Sequence, residues 1–388
     1  MADNIINKIR VLHITSSLKI GGAETVLVSL LRELQKGKSE LIFENTVLYF
    51  HTGPNLLELE KVGVPAILVQ GKFYRYDPWF IIKLYKLIKN TRPAVIHSSL
   101  WMANLMARIL GKFLGIPVIA TVHSPVNFNN LSSKFLDIRD LADKLTAHWV
   151  QATVAVSAST AQQLQQDLIN LKNVTVIPNG IENLTECHLG VSVADKLNLP
   201  ANSFVIGTVG RLVASKNYEN LINCFANLQA RYHNLILVII GSGELELILK
   251  TQVANLKLDH KIFFVQTTQA LDYYKYFDCF VQPSYYEGLS MALLEAGLFK
   301  LPVVASYNYN LKHDVLINNY SGLLINPYSS KALLELELAL EKLILDPDLR
   351  TRLGENLFKT VMQDFSLAQM VNSYKNLYLK ICAKPPAP

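Results

Sequence analysis

Cysteine and long apolar runs are both scarce in this sequence. The four cysteines, Cys187, Cys224, Cys279 and Cys382, lie far apart, and none belongs to a CxxC pair. Scattered thiols of this kind indicate a reducing, cytoplasmic setting and give no disulfide framework. No apolar stretch reaches the length of about 18 residues that a membrane-spanning helix needs, so we expect none. The first residues also lack the apolar segment of a signal peptide.

Charge is sparse as well, since only 18% of the residues are charged while 50% are hydrophobic. This balance argues against a disordered chain and favours large buried sheets. A length of 388 residues exceeds one ordinary core, so we expect two domains. The net charge of +6 is uneven, because residues 1–190 carry 19 basic and 14 acidic side chains whereas the remainder carries 18 and 17.

Short apolar, β-branched runs alternate with longer segments of helical spacing, such as 24–36, 78–91, 217–231 and 331–345. Continuous apolar runs are typical of parallel strands buried on both faces. Their alternation with helices predicts an α/β fold made of two doubly wound, Rossmann-like domains. The predicted strands are 9–15, 46–50, 66–70, 94–99, 117–123, 153–157, 174–178, 204–210, 235–241, 261–266, 279–283, 302–306 and 322–326.

The domain boundaries follow from this pattern. The first domain is predicted over residues 1–182 and the second over 204–365. Residues 183–203 have no strand pattern and end in LNLPANS, so the interdomain linker is placed there. A C-terminal helix over 366–383 could cross back to the first domain, and the tail 384–388, KPPAP, is expected to be disordered.

Several common catalytic motifs are absent. The chain has no GxxxxGK[ST] phosphate loop and no HExxH zinc motif. GSGE at 241–244 is similar to a dinucleotide loop but lacks its third glycine, because Glu246 occupies that place. Asp346-Pro347-Asp348 has the DxD spacing of some metal sites, yet Asp followed by Pro is the ordinary start of a helix, and we favour that interpretation. No metal site is predicted.

Polar residues follow several predicted strands directly. Gly21 and Gly22 follow the first strand, Arg211 and Lys216 follow FVIGTVG, and SYYEGLS follows CFVQP. Ligands of doubly wound sheets bind at the carboxyl ends of the strands. A glycine loop, two cations and a helix N-terminus suit an anion, most simply a diphosphate. The plainer alternatives are a tight turn for the glycines and solvated surface positions for the two cations.

The stretch SYYEGLSMALLEAG, residues 284–297, holds two carboxylates, Glu287 and Glu295. The second lies in an apolar run that is typical of a helix, beginning near Leu289. A helix rises about 12 Å over that interval, which is long for a general acid and a nucleophile but suits two contacts along one extended ligand. The alternative is that Glu287 caps the helix and Glu295 forms a salt bridge.

Taken in order, segments along nearly the whole chain resemble the nucleotide-sugar glycosyltransferases of family 4, which have the GT-B fold of two Rossmann-like domains facing a central cleft. The most specific element is the glutamate, seven residues, glutamate pattern after a Pro-Ser strand end, in SYYEGLSMALLEAGLFKLPVVAS at 284–306. The other matching segments are GGAE at 21–24, VIHSS at 95–99, ATVHS at 120–124, VAVS at 154–157, VIPNGIE at 176–182, GTVGRLVASKN at 207–217 and LVIIGSGE at 237–244.

The resemblance implies donor contacts in the second domain. Glu295 would accept hydrogen bonds from the ribose hydroxyls, which would explain a carboxylate in an apolar helix. Glu287 would contact hydroxyls of the transferred sugar. The diphosphate would be held, and charge on the leaving group stabilised, by backbone N–H groups at the helix start and by two cations. These residues are Gly288, Leu289, Ser290, Arg211 and Lys216.

Further roles rest on the same resemblance. The backbone around Val265 and Gln266 would receive the base, and Gly22 would leave room for the phosphates. His123 would lie by the reacting sugar and the acceptor, and His97 is a weaker candidate on the acceptor side. Such enzymes are metal-independent, retain the anomeric configuration without a well-placed enzyme nucleophile, and need no cofactor beyond the nucleoside-diphosphate sugar, which is a co-substrate.

Two segments depart from the family pattern. YNYNLKHD at 307–314 stands where the family commonly has an acidic residue and paired glycines, so Asn308, Tyr309 or Asn310 could face the donor sugar. LFK at 298–300 replaces small residues and glycine. These departures leave the fold secure and put the identity of the donor in doubt.

The first domain contains two basic amphipathic segments, PWFIIKLYKLIKNTR at 78–92 and WMANLMARILGKFLG at 101–115. Between Lys61 and Gly115, nine basic residues stand against one acid, Asp77. Such segments can lie on an anionic membrane, although the apolar faces of crossover helices also simply cover a sheet. The stretch contains no recognisable nucleic-acid-binding module.

These features together predict a retaining glycosyltransferase that moves a hexose or N-acetylhexosamine from a UDP-sugar, or GDP-mannose, to a glycan or lipid-linked glycan acceptor in polysaccharide or glycolipid biosynthesis. The enzyme would be cytoplasmic or peripheral on the cytoplasmic face of the membrane. One rival is a nucleotide-sugar epimerase of related fold, which would need no acceptor. The other is a non-catalytic sugar-binding protein, against which the glutamates and cations argue.

Overall fold

The computed structural model divides the chain into two compact units. The first comprises Met1–Gly180 with Leu367–Pro388, and the second comprises Ile181–Ser366. The second unit thus begins before the predicted boundary at 182, since the Ile181 N–H donates to the Phe365 carbonyl (2.9 Å). The described residues are 8–36, 42–72, 77–124, 134–167, 171, 173–183, 200, 202–267, 269–306 and 315–383. Most of the predicted linker and the tail 384–388 lie outside them.

The first unit is built on a parallel sheet with the strand order β3-β2-β1-β4-β5-β6-β7. The order reverses between β1 and β4, which is the arrangement of a doubly wound sheet. Strand β1 pairs with β2 and with β4, so Val11 of β1 lies beside Asn45 on one side and Val95 on the other. The strands are β1 Lys8–Thr15, β2 Ile42–Tyr49, β3 Ala66–Leu68, β4 Val95–Ser99, β5 Val118–Val122, β6 Ala152–Ala155 and β7 Val174–Val176.

Helices cover this sheet. They are α1 Gly22–Lys36, α2 Asn55–Lys61, α3 Pro78–Thr91, α4 Trp101–Leu114, α5 Lys134–Thr146 and α6 Ala158–Asp167, with α13 Leu367–Cys382 added from the far end of the chain. The start of α3 shows the local logic: the Asp77 side chain accepts a hydrogen bond from the Phe80 N–H (3.0 Å), and Pro78 occupies the first turn. Phe80, Leu84 and Ile88 then repeat at helical spacing and pack on the sheet.

The second unit repeats the plan with the strand order β10-β9-β8-β11-β12-β13. Its strands are β8 Phe204–Val209, β9 Leu235–Ile240, β10 Ile262–Val265, β11 Cys279–Gln282, β12 Val303–Ser306 and β13 Leu323–Ile325. Its helices are α7 Tyr218–Gln229, α8 Glu246–Asn255, α9 Leu271–Tyr274, α10 Met291–Leu298, α11 Ala332–Leu345 and α12 Pro347–Asp364. Two buried apolar clusters lie on the two faces of this sheet.

Every predicted strand is confirmed, because the apolar runs are short and rich in β-branched residues and alternate with longer helical segments. The largest error in position is at β2, which begins at Ile42 and was predicted from residue 46. Its polar Glu44 and Asn45 interrupt the apolar run, yet they pair with Arg10 and Val11 of β1. Pairing with β1 therefore extends β2 beyond the apolar run that predicted it.

The last helix, α13, belongs to the first unit and packs against its sheet. Tyr378 contributes a hydroxyl 2.6 Å from Nδ1 of His97, and the Tyr374 hydroxyl lies 3.2 Å from that of Thr121. These bonds join the end of the described chain to β4 and β5. Among the described helices, none combines the length and apolar character needed to span a bilayer.

Candidate functional site

Two loops at the carboxyl ends of β8 and β11 lie side by side, because the two strands are neighbours in the second sheet. The Tyr285 N–H donates to the Ser215 carbonyl (2.8 Å), and Nδ2 of Asn217 donates to the Pro283 carbonyl (3.1 Å). These bonds fix the loop that carries Lys216 against the loop that carries Glu287.

Lys216 and Glu287, predicted separately, form an ion pair through Nζ and Oε1. Both are mostly buried, with side chains 17% and 21% exposed. The same carboxylate oxygen accepts from the Ser284 hydroxyl (2.8 Å) and from Nε2 of Gln282 (2.7 Å). Sequence reasoning missed Gln282 and Ser284, although a glutamine that ends an apolar strand was a usable signal. The described residues donate nothing to Oε2 of Glu287.

Helix α10 begins two residues later than predicted. Ser290 is its N-cap, with a side chain that accepts from the Leu293 N–H (3.4 Å), and the helix starts at Met291. The alternative in which Glu287 caps this helix is therefore wrong. Gly288 and Leu289 form the loop between the ion pair and the cap, so the helix N-terminus, which favours anions, lies directly after Glu287.

Glu295 lies in the apolar helix α10, and a tyrosine of another helix, α9, forms a hydrogen bond with its carboxylate. The Tyr274 hydroxyl donates to Oε2 of Glu295 (2.6 Å), and its ring stacks on Phe280 and Phe299. Burial raises the pKa of Glu295 to about 7, and the bond from Tyr274 opposes that rise. Within the described residues Glu295 has no ion pair, so the salt-bridge alternative is wrong.

The remaining donor-side candidates lie along the same edge of the second sheet. Arg211 follows β8 and is exposed, and Val265 ends β10. The Val265 carbonyl already accepts from the Gly241 N–H (2.9 Å), and Nε2 of the exposed Gln266 donates to Glu246 (2.7 Å). Of the two residues, Gln266 is thus the more exposed, and the carbonyl of Val265 is already occupied.

The glycines of GSGE have a packing reason. A Cβ on Gly241 would lie 1.9 Å from the Gly210 carbonyl oxygen, and its φ of +148° disfavours other residues. A Cβ on Gly243 would lie 2.4 Å from the Leu212 carbonyl oxygen. The two glycines let the loop after β9 press against the loop after β8, which includes Arg211.

The remaining candidates lie in the first unit. Gly22, predicted on the donor side, is the exposed first residue of α1, and His123, predicted on the acceptor side, follows β5. Burial lowers the pKa of His123 to about 4, and its buried Nδ1 has no partner among the described residues. A neutral imidazole of this kind can accept or donate one proton in a hydrogen bond.

His97 sits inside β4, only 5% exposed. Its Nδ1 lies 2.6 Å from the Tyr378 hydroxyl and its Nε2 lies 2.8 Å from that of Thr121. Both ring nitrogens are thus occupied within the first unit. This position favours a structural role for His97 over contact with an acceptor.

The DxD-like sequence is a helix cap, as predicted. Asp346 accepts from the Leu349 N–H (2.8 Å), and Pro347 opens α12. No group of three or more potential metal-binding side chains occurs within the described part of the chain. The YNYNLKHD segment, 307–314, lies outside that part.

Two family models match the chain, one for each half. The model described as Glycosyltransferase Family 4 matches residues 20–183, and the model described as Glycosyl transferases group 1 matches residues 193–360. The chain belongs to glycosyltransferase family 4. The second match contains Lys216, Glu287 and Glu295, and the first contains Gly22 and His123.

Similar family members include transferases that are named for lipid-linked sugar acceptors. A Campylobacter jejuni α-1,4-N-acetyl-D-galactosaminyltransferase, named for an undecaprenol-diphosphate-linked acceptor, is 25% identical over 97% of this chain and 98% of its own. An Escherichia coli UDP-Gal:alpha-D-GlcNAc-diphosphoundecaprenol alpha-1,3-galactosyltransferase is 26% identical over 77% of this chain and 78% of its own.

Solved structures confirm the predicted GT-B fold of two Rossmann-like domains. Anabaena Alr3699/HepE, in complex with UDP and glucose, superimposes with a TM-score of 0.80 at 18% identity, covering 96% of this chain and 100% of its own. Sucrose-phosphate synthase from Thermosynechococcus elongatus gives a TM-score of 0.81 at 20% identity, covering 97% and 99%.

Proposed function

We propose that the protein is a retaining, metal-independent glycosyltransferase that moves a hexose or N-acetylhexosamine from a UDP-sugar, or from GDP-mannose, to a glycan or lipid-linked glycan acceptor. The observation that carries this proposal is the polar cluster around Glu287, joined to Lys216 and followed at once by the N-terminus of α10. The Campylobacter and Escherichia relatives support a lipid-linked acceptor, and the Anabaena complex supports UDP.

Each group in the second unit has a distinct task in this proposal. Lys216, Arg211 and the start of α10 neutralise the diphosphate as the bond from sugar C1 to oxygen breaks. Glu287 takes sugar hydroxyls on its free oxygen, and Glu295 takes ribose hydroxyls. The acceptor hydroxyl oxygen bonds to C1 as the bond from C1 to the diphosphate oxygen breaks, and the acceptor proton passes to the departing diphosphate. Glu287 has a lysine partner in place of a second carboxylate, so the described cluster offers no close acid and nucleophile pair of the glycosidase kind.

A ligand panel tests this function directly. Thermal shifts with UDP, GDP and ADP identify the base, and the matching sugars are then assayed with and without a lipid-linked glycan acceptor, in the presence of EDTA. We expect transfer with retained anomeric configuration, read by proton NMR of the product. Conversion of the donor sugar without an acceptor would identify an epimerase, and binding without turnover would identify a sugar-binding protein.

Two glutamate variants separate the proposed contacts. Glu295→Ala should weaken nucleotide binding by roughly 1.5–3 kcal/mol, the range for a hydrogen bond to a charged group. Glu287→Ala should mainly lower turnover. Glu355→Ala, at an exposed position of α12, is the control. Unchanged affinity of Glu295→Ala for every nucleotide would remove the ribose assignment, and full activity of Glu287→Ala would remove that residue from the site.

A separate surface supports peripheral contact with an anionic membrane, on its cytoplasmic face. Beyond the residues of α3 that pack on the sheet, this helix exposes a second apolar set, including Trp79 at 52%. On a helical wheel Ile82 lies opposite the packed face, with lysines one turn away. No acidic residue interrupts the helix. The exposed set is Trp79, Ile81, Ile82 and Tyr85, flanked by Lys83, Lys86 and Lys89.

Vesicle binding tests this surface. The full chain should bind vesicles containing phosphatidylglycerol more tightly than vesicles of phosphatidylcholine alone, and salt should weaken the difference. Replacing the three α3 lysines with glutamine should remove the preference. The same change at Lys250, Lys257 and Lys275 of the second unit should not. Equal binding by the α3 variant would overturn the membrane assignment.

A further inference from the structure

Gln282 is a polar residue in an otherwise apolar strand. It ends β11, a central strand of the second sheet, after Phe280 and Val281, and it is only 4% exposed. Its position at the carboxyl end of the strand brings it to the loop that carries Glu287. Neither the sequence pattern nor the resemblance to the family assigned a role to Gln282.

The side-chain amide of Gln282 connects two parts of the site. Nε2 donates to Oε1 of Glu287 (2.7 Å) and to the hydroxyl oxygen of Ser290 (2.9 Å). An ionised carboxylate only accepts, so the NH₂ group must face Glu287 and the amide oxygen must point away. That oxygen is buried and has no hydrogen-bond partner among the described residues.

The unpartnered amide oxygen of Gln282 is unfavourable for stability. A buried acceptor without a partner costs free energy, whereas methionine would fill a similar volume with no polar atom to satisfy. The benefit of glutamine at this position therefore lies in the two bonds that it donates. One fixes the rotamer of Glu287, and the other ties that rotamer to the N-cap of α10.

We propose that Gln282 is a positioning residue for sugar transfer, which holds Glu287 while a donor is bound. The inference rests on the proposed function. In the described structure Lys216 also holds Glu287, but an ammonium group is drawn to a diphosphate when one arrives. A neutral amide has no such competing attraction, so Gln282 keeps Oε1 in place and leaves Oε2 to the sugar.

The expected signature is a split between binding and turnover. In the full-length protein, Gln282→Met should lower kcat with saturating donor on the order of 10- to 100-fold, as for one hydrogen bond to a charged group. Affinity for free UDP, which has no sugar, should change less than about twofold. If GDP or ADP is the nucleotide that binds, it replaces UDP as the probe.

Gln229→Met is the matched control. Gln229, the last residue of α7, also has a buried amide oxygen with no described partner, and its Nε2 donates to the His233 carbonyl (3.1 Å). It lies before β9, at the sheet edge away from the loops of the site. Its replacement should leave kcat unchanged.

A second variant keeps the length of the side chain. Gln282→Glu places two carboxylates together, so one of them should hold a proton, and a protonated carboxyl group at position 282 can donate one bond to Glu287. Turnover by Gln282→Glu should therefore recover as the pH is lowered, relative to wild type. A residue that only filled space would not produce this pH profile.

The outcomes are separable. If wild type transfers sugar and Gln282→Met does so equally well, or loses UDP affinity as strongly as turnover, the positioning role is wrong. If wild type neither binds a nucleotide nor transfers sugar, the proposed function fails and the inference fails with it. A crystal structure of Gln282→Met with the donor bound, in which Glu287 keeps its rotamer, would overturn the positioning role independently of any assay.

Discussion

Glu295 can lie in an apolar helix because one tyrosine hydroxyl meets it there. Burial disfavours the carboxylate and raises the pKa to about 7, while the bond from Tyr274 partly restores the charged form. Near neutral pH the side chain is thus poised between two protonation states. Ribose hydroxyls would add donors and favour the carboxylate, so nucleotide binding and ionisation are coupled.

Tyr274→Phe should shift the pH dependence of UDP binding. The ring stays between Phe280 and Phe299, but the carboxylate of Glu295 loses a donor, so its pKa rises further. Because ribose favours the ionised form, affinity should increase as pH rises through the pKa in both proteins. The midpoint should lie about one pH unit higher in the variant, equivalent to one hydrogen bond. Titration calorimetry across this range measures it.

Tyr320→Phe is the control for this experiment, since Tyr320 is exposed on the same unit. Its midpoint should match wild type. Coincident midpoints for Tyr274→Phe and wild type would show that Glu295 does not titrate in response to the ligand.

Among the elements, α13 has the clearest measurable contribution. Tyr378→Phe keeps the ring in the core but leaves Nδ1 of His97 without a partner, which should destabilise the first unit by about 1–3 kcal/mol. Urea unfolding followed by tryptophan fluorescence reports on this unit alone, because the chain's three tryptophans, Trp79, Trp101 and Trp149, all belong to it.

Tyr85→Phe on α3 removes an exposed hydroxyl from the same unit and should leave the midpoint in place. If Tyr378→Phe also unfolds at the wild-type urea concentration, the bond between α13 and β4 contributes nothing to stability.

The strands, the helix cap and the side-chain contacts could be predicted from the sequence only where they depend on neighbouring residues of the chain. Apolar runs identified the strands, and the order of segments brought Lys216 and Glu287 to one edge. Ser290 as the N-cap was visible in principle, since serine favours that position. The bond from Tyr378 to His97 spans 281 positions. No periodicity reveals such a contact, or that Tyr274 would reach Glu295.

At the scale of the whole molecule, the two units should respond to acid in opposite directions. Burial holds the pKa of His13 and His123 at about 4, and that of His97 well below its usual value. Their unfolded forms bind protons first, so this stability is present above about pH 6.5 and is lost as pH falls. Glu295 has a raised pKa, so its contribution is present in acid and is lost as pH rises through about 7.

Acidification should therefore separate the unfolding of the two units. Between about pH 7.5 and 5.5, the urea midpoint from tryptophan fluorescence should fall. The free energy of unfolding of the first unit should decrease with a limiting slope near 4 kcal/mol per pH unit for three histidines. Far-UV circular dichroism should still show a second transition, at higher urea concentration, from the second unit. A fluorescence midpoint independent of pH would contradict the prediction.

The return of α13 to the first unit has a consequence for biosynthesis. The ribosome makes Ile181–Ser366 after six of the seven helices that the structure describes over the first sheet, and before the last of them. At 5–20 residues per second, the nascent first sheet waits roughly 10 to 40 s with His97 and Thr121 uncovered. The second unit can fold during that interval. Translation thus completes the second unit before the first, and the face of the sheet that α13 covers stays exposed until that helix is made.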